Sequence, residues 1–370
     1  MESELDTTIP SGPEALTAAW MTASLRSGGV IKDATVTSID VKTIGEGSGF
    51  IGQIARVGLT YDRAEPGAPA SLVAKFPGAS EGGRTIGNLF DFYNREIRFY
   101  EEIADAVELR TPRRYYSAAN PAAQEYILLI EDLAPAQVGD HAVGCTLDQA
   151  RISIESVAKF HATWWEHPQL DKIGEWMPMI DAPVQQFAAG AYQQAWEPFL
   201  QMFGAMLSPE VKSVCERIGQ NVVKIQSSFA APPLTISHGD YRTDNLFFAS
   251  SEGGPAFAVA DWQISTRGRG AFDVSYLLCG GLEPDLRRAH ERDLVKLYHD
   301  TLLANGVTGY GFEQCWDDYR RGALFMFVYI VIAIGTLDAA NERGMALWTA
   351  WLRRGAAAIE ELNAAEQMPV

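Results

Sequence analysis

The sequence predicts an α+β protein of two lobes, an antiparallel-sheet N-lobe followed by a mainly helical C-lobe. Three observations carry that expectation. Segments within residues 1–132 alternate apolar and polar side chains with period two, the mark of half-buried strands. Beyond residue 132 the apolar spacing changes to the helical period. Strand-like texture returns only over 234–265, where a dense polar cluster interrupts it.

The elements follow in chain order. Pro13 suits the first turn of a helix carrying Leu16, Trp20 and Leu25. ATVTSIDVKTIG (34–45) and IGQIARVGLTYD (51–62) alternate, and a Gly-rich turn joins them as a hairpin. SLVAKF (71–76) is a third strand, ended by Pro77 and Gly78, and one long helix is expected over 84–106. RRYYSA (113–118) and EYILLIEDL (125–133) are two more strands, and LAPAQVGDHAVG (133–144) is a loop. TLDQARISIESVAKFHATWW (146–165) is a helix with Thr146 as N-cap. The apolar run at 323–335 is too short to span a bilayer and reads as a buried core helix. The N-lobe is placed at 1–132 and the C-lobe at 133–370, with the cleft between two such lobes a natural ligand site.

The stretch TISHGDYRTDNLFF (235–248) holds a His, an Arg, two Asp and an Asn between apolar flanks. His238, Asp240 and Asn245 make H-x-D-x-x-x-x-N. That spacing belongs to phosphoryl-transfer loops, where the Asp accepts the substrate hydroxyl proton and the Asn holds magnesium. Asp261 ends the apolar strand AFAVAD, where a carboxylate suits a hard cation between phosphates. Taken alone the motif is short, and Asp and Asn also favour plain turns.

Other parts of such a site appear in the required order. Gly45, Gly47, Ser48 and Gly49 lie in the turn between the first two strands, where glycines let backbone N–H groups approach phosphate. The spacing is G-x-G-x-G, so a ligand-free hairpin turn explains it as well. Lys75 lies inside an apolar strand and needs a partner or a ligand, unless it is an edge lysine. Tyr93, Glu96 and Tyr100, with Leu89, share one helical face, which makes Glu96 the candidate partner for Lys75 ahead of Glu101 or Glu102.

With these residues in view, the chain resembles the aminoglycoside phosphotransferase and choline kinase superfamily, and more narrowly its ecdysteroid-kinase-like branch. The resemblance rests on His238-Gly239-Asp240, Asn245 and Asp261-Trp262-Gln263, and FHATWW (160–165) is similar to the family's first C-lobe helix. It implies a protein-kinase-like two-lobed fold, ATP and Mg2+ as cofactors, and an N-lobe built as a nucleotide-binding sheet with a Gly-rich loop and C-type helix. The resemblance further implies that backbone groups near Glu131 to Leu133, at its hinge position, contact adenine. The second aspartate is followed by Trp262-Gln263 and then a short STRGRGAF segment, leaving no room for a long activation loop and peptide platform. A small-molecule hydroxyl is therefore the expected acceptor.

The expected roles follow from a loose, highly charged transition state, for which positioning and charge neutralisation dominate. Asp240 is the base; Asn245 and Asp261 hold magnesium; Lys75 takes the α/β-phosphates, oriented by Glu96. Arg242 either neutralises the transferring group or pairs with Asp244 or Asp273, and Asp273 is either a loop anchor or a plain N-cap. His238 is a structural post.

Composition sets the remaining bounds. Lys and Arg number 30 against 47 Asp and Glu, a net charge of −17, which argues against a nucleic-acid reader. Four dispersed cysteines and an acidic, polar N-terminus without signal-peptide character point to a cytoplasmic protein with no membrane insertion. The aromatic-rich C-lobe suggests a largely apolar alcohol, steroid-like or terpenoid. Alternatives are an aminoglycoside- or choline-type kinase, a hydroxyacyl-CoA kinase using Arg287-Arg288, Arg320-Arg321 or Arg353-Arg354 for the CoA phosphates, and an inactive nucleotide-binding pseudokinase.

Overall fold

The period-two segments pair into one antiparallel sheet, as alternation with one buried face requires. The computed structural model describes residues 8–44, 51–184, 186–336 and 342–369. The chain divides into two compact units, Met1–Ala106 with Thr111–Ala134, and Val107–Arg110 with Pro135–Val370.

In the first unit α1 (Ala18–Ser27) precedes β1 (Val36–Ile44), β2 (Gly52–Tyr61) and β3 (Ser71–Pro77). Then come α2 (Glu81–Leu89), α3 (Phe92–Glu102), β4 (Arg114–Asn120) and β5 (Glu125–Glu131). The sheet order is β1-β2-β3-β5-β4, with each neighbouring pair antiparallel. Trp20, Met21 and Leu25 of α1 share a core with Val57, Leu72, Ala74, Ile127 and Leu129 of the sheet.

Two helices of this unit differ from expectation. Pro13 opens a separate 3-10 turn (Pro13–Ala15), and α1 starts only after Thr17, whose hydroxyl caps the Trp20 N–H at 3.1 Å. The single long helix expected over 84–106 is two helices. Asp91 between them adopts a left-handed backbone, φ 55°, which a continuous α-helix excludes. Arg95 reaches back to the Phe90 carbonyl at 2.5 Å, and Phe90 stacks on Phe92 across the break.

The second unit holds β6 (Gln137–Val138), α4 (Leu147–Thr163), α5 (Gln169–Ile173), α6 (Phe187–Phe203) and α7 (Pro209–Ser228). It continues with β7 (Thr235–Ser237), β8 (Leu246–Ser250), β9 (Gly253–Val259) and β10 (Thr266–Gly268). It ends with α8 (Ala271–Gly281), α9 (Pro284–Ala304), α10 (Phe312–Thr336) and α11 (Glu342–Glu361). The strands form two small sheets, β6-β8-β9 and β10-β7. Thr146 caps α4 in a reciprocal capping box with Gln149.

The apolar run of the sequence is the middle of α10, which packs against α6, α8 and α11. At 25 residues the helix is long and apolar enough to cross a membrane, yet 61% of its most apolar window is buried inside the protein, as a core helix requires. The four cysteines are unpaired, and burial pushes the thiols of Cys145, Cys279 and Cys315 up to about 12. They stay protonated and are not nucleophiles.

Candidate active site

The polar cluster of the sequence is a turn between β7 and β8, clamped from below by one carboxylate. Asp273, in the first turn of α8, accepts the Ser237 hydroxyl at 2.8 Å and the His238 and Gly239 N–H groups at 2.7 and 3.0 Å. His161 of α4 meets the same carboxylate at 3.1 Å through Nε2, while its Nδ1 lies 2.9 Å from the Tyr298 hydroxyl. Burial would raise the Asp273 pKa, but His161, His238 and the Gly239 N–H hold it below the ordinary range. Of the two readings open for Asp273, the anchor is the one found.

Gly239 sits at φ 83°, and a Cβ there would stand 2.7 Å from the Ile264 carbonyl oxygen. The glycine of H-G-D is therefore demanded by the turn. His238 directs Nε2 at the Ala260 carbonyl, 3.0 Å away, and its Nδ1 accepts the Asp240 N–H at 3.2 Å. The ring faces inward against Trp262, 4.5 Å between centroids. Trp262 is fully buried and also meets Phe160 at 5.1 Å, so the segment after Asp261 is anchored. Beyond it β10 pairs with β7, and Arg267 bonds the carbonyls of Met177 and Leu170, which ties down the short stretch leading to α8.

On the outer side of the turn, Asn245 donates Nδ2 to the Asp240 carbonyl at 2.9 Å and to Asp240 Oδ2 at 3.1 Å. This fixes the Asp240 carboxylate and leaves the Asn245 amide oxygen as an acceptor. Arg242 Nε is 3.2 Å from Asp240 Oδ2 and Nη1 is 3.5 Å from Asp244 Oδ2. The Nε approach makes an ion pair but is misaligned for a hydrogen bond. Burial opposes the Arg242 charge, and Asp240, Asp244 and Asp261 outweigh it, so the guanidinium stays ionised. Arg242 thus pairs with Asp244, one of the two partners considered, and not with Asp273.

Asp261 follows the end of β9 in a left-handed conformation, φ 68°, a strained choice that Asp tolerates better than most residues. Leu246 pairs with Val259, and the Ala260 N–H bonds the Asn245 carbonyl at 3.0 Å, so Asn245 and Asp261 lie at the same end of the β8–β9 ladder. Among the described residues no three His, Cys, Asp or Glu side chains gather as a metal cage. An amide oxygen and a carboxylate instead suit Mg2+, which takes one or two carboxylates and fills its shell with phosphate and water oxygens.

The first unit supplies its own set. Lys75 lies in β3, which is flanked by β2 and β5, so it is not an edge lysine. Its Nζ meets Glu96 Oε1 of α3 at 2.5 Å, with side chains only 15% and 6% exposed. Glu102 pairs with Arg98 and Glu101 accepts the Ser117 hydroxyl, so neither competes. Tyr93, Glu96 and Tyr100 are buried as the helical face requires, whereas Leu89, on α2, is exposed. Gly45, Gly47, Ser48 and Gly49 lie outside the described residues. The Glu131 N–H is used by the Arg113 carbonyl at 2.8 Å, and Leu133 is buried.

Sequence reasoning missed His161 and Tyr276. His161 is within the recognised FHATWW segment, but nothing in spacing ties it to Asp273, 112 positions away. Tyr276, one turn beyond Asp273 on α8, is buried near Asp240, and burial together with that carboxylate's charge keeps its phenol protonated.

The architecture is that of the protein-kinase-like small-molecule phosphotransferases. It is similar to wild-type aminoglycoside 2'-phosphotransferase-IIIa in its GDP complex, with a TM-score of 0.53 and 15% identity over 90% of this chain and 98% of that one. A microcompartment-associated aminopropanol kinase gives 0.52 and 12%, over 90% and 94%. A Ralstonia eutropha JMP134 protein assigned as an aminoglycoside phosphotransferase without proof of that activity gives 0.50 and 14%, again over 90% and 94%. At these identities the likeness establishes the fold. The chain belongs to the ecdysteroid kinase-like family, whose profile matches residues 46–306. A kinase-like protein of Caenorhabditis elegans is 29% identical over 112 residues, and the match spans 30% of that relative's length.

Proposed function

We propose that the protein transfers the terminal phosphate of ATP, with Mg2+, to a hydroxyl of a small, largely apolar molecule. The observation that carries this reading is Asp240, fixed by Asn245 on a turn that Asp273 clamps and flanked by the guanidinium of Arg242. A carboxylate so fixed orients an acceptor hydroxyl and takes its proton. Arg242 neutralises charge on the transferring group. Lys75, oriented by Glu96, receives the α/β-phosphates. The Glu131 carbonyl and the Leu133 backbone face adenine. Asn245 and Asp261 would hold Mg2+, which when bound neutralises phosphate charge. GDP in the 2'-phosphotransferase-IIIa complex supports a nucleotide as the donor.

The family's name makes steroid alcohols the first acceptors to try. The hydroxyacyl-CoA reading loses its basic patch. Arg287 and Arg288 are paired with Glu291, Glu361 and Asp285, Arg353 and Arg354 with Glu283, Arg320 with Glu366 and Asp317, and Arg321 with Asp318. A pseudokinase reading is disfavoured because Lys75, Glu96, Asp240, Asn245 and Asp261 are all of the required types.

The test is transfer of label from γ-labelled ATP, with and without Mg2+, into a panel of steroid and terpenoid alcohols, choline and an aminoglycoside. Native protein should label an apolar alcohol, and Asp240→Asn should lose roughly 10²–10⁴-fold of that rate while still binding nucleotide. Label entering only choline or the aminoglycoside would overturn the acceptor class. Nucleotide binding with no transfer to any acceptor would overturn the kinase reading.

A further inference from the structure

A cleft of about 490 Å³ opens in the second unit between the end of α4, the segment before β7 and the loop joining α9 to α10. That volume is in the range of small-molecule sites. None of its lining residues belongs to the reaction turn or to the Lys75–Glu96 pair.

The walls are fixed by bonds that cross between elements. The Glu166 N–H donates to the Leu234 carbonyl at 2.8 Å, and the Leu234 N–H returns to Glu166 Oε1. The Thr235 hydroxyl donates to the His161 carbonyl at 2.8 Å. Glu166 holds a left-handed backbone, φ 48°, at a helix end where glycine would cost less. Half-buried Trp165 and buried Tyr310 form an aromatic wall, with ring centroids 5.0 Å apart at 57°. The Tyr310 hydroxyl is spent on Asp318, which Arg269 and Arg321 already neutralise.

The electrostatics of the cleft select the ligand. Among the described residues lining it, Glu166 alone carries a charge. It makes no ion pair among the described residues, and the Leu234 bond leaves its second oxygen free to accept. Two helices also end here: Ala162 lies in the last turn of α4, and Asn305 caps α9. Helix C-termini carry negative partial charge. Neither last turn holds a lysine or arginine, and the one basic residue, His161, is turned to Asp273. The positive end of α10 starts two residues past Tyr310 and carries Glu313 in its first turn. An anion would face a carboxylate and two negative helix ends. A bare metal ion would find too few ligands, since no three His, Cys, Asp or Glu gather among the described residues. An organic ammonium ion satisfies both features, because its charge suits Glu166 and its carbon surface suits aromatic faces.

We propose that this cleft is a second binding site, for a small organic ammonium ion held by Glu166 and by the rings of Trp165 and Tyr310. It lies apart from the phosphoryl-transfer residues and stands whether or not the kinase reading does.

The experiment titrates the full chain by calorimetry with benzyltrimethylammonium, which has no hydroxyl to accept phosphate. Native protein should bind one equivalent with a dissociation constant below about 1 mM. Glu166→Gln keeps an acceptor for the Leu234 N–H and removes the charge. Solvent reaches Glu166, so screening keeps the expected loss to about fivefold. Trp165→Leu removes the aromatic face and should also weaken binding about fivefold. Thr308→Trp, which puts a bulky ring on the loop wall, should abolish binding and serves if Glu166→Gln or Trp165→Leu does not fold. Asp240→Asn should bind as native protein does. No saturable heat up to about 10 mM, or native affinity retained in the Glu166 and Thr308 variants, would overturn the site. Binding lost in Asp240→Asn would overturn it as well, by placing the cation at the reaction turn.

Discussion

Asp273 holds Gly239 in place: its carboxylate accepts the Gly239 N–H at 3.0 Å from across 34 positions of sequence. The same group takes the His238 N–H, the Ser237 hydroxyl and His161. The turn that presents Asp240 is thus built on a buried anion. A carboxylate with several donors is worth its burial only while all remain, because an unpaired donor left behind costs its full desolvation.

Asp273→Asn should therefore destabilise the protein by about 3 kcal/mol, the size typical of breaking a buried charged network. Urea unfolding of the two proteins at neutral pH measures the gap.

That gap should also depend on pH. The folded-state pKa of Asp273 is depressed below 3.8, so its contribution is fully present above that value and fades as pH falls through the folded pKa. Unfolding midpoints for both proteins between pH 6 and the acid limit of folding should converge only at the acidic end. A gap that stays constant would remove the ionised carboxylate from the explanation.

Lys75 and Glu96 form a nearly buried pair, so removing one partner strands the other. Lys75→Met should cost about 3 kcal/mol, and Lys75→Met with Glu96→Leu should recover part of that loss. Nucleotide affinity should fall in both proteins. Recovery of stability without recovery of binding would separate the structural use of the pair from its ligand use.

Gly239→Ala forces a side chain into a left-handed turn against the Ile264 carbonyl. The backbone alone should cost about 1–2 kcal/mol. Phosphate transfer should fall further than stability does, since the strain falls on the residue preceding Asp240. An alanine variant with native turnover would show that the turn has another way to close.

Asn245→Ala removes both the proposed metal oxygen and the amide that fixes Asp240. The Mg2+ concentration for half-maximal rate should rise at least tenfold, a loss usual even for groups one shell further out. A Mg2+ titration at saturating ATP reads it directly.

Much of the fold was legible because it is written in local rules. Alternation marked β1 and β2, Thr146 announced the start of α4, and H-G-D with Asn245 marked the turn that carries the site. The break at Asp91 was hidden, since α2 and α3 keep an apolar period across a one-residue reversal of the backbone. The standing of Lys75 was hidden too, because edge and centre strands have the same period, and only the pairing of β3 with both β2 and β5 decides between them.

The sequence by itself determined the residue types of the candidate site, their order, and the strands, helix and turn that carry them. Tertiary structure alone decided that Asp273 anchors the turn, that His161 joins it, and that the paired arginines are ion-paired to carboxylates. The reason is physical. Propensity, capping and turn geometry act over a few neighbours along the chain, whereas a buried charge finds its partners in space, and sequence separation carries no record of that distance.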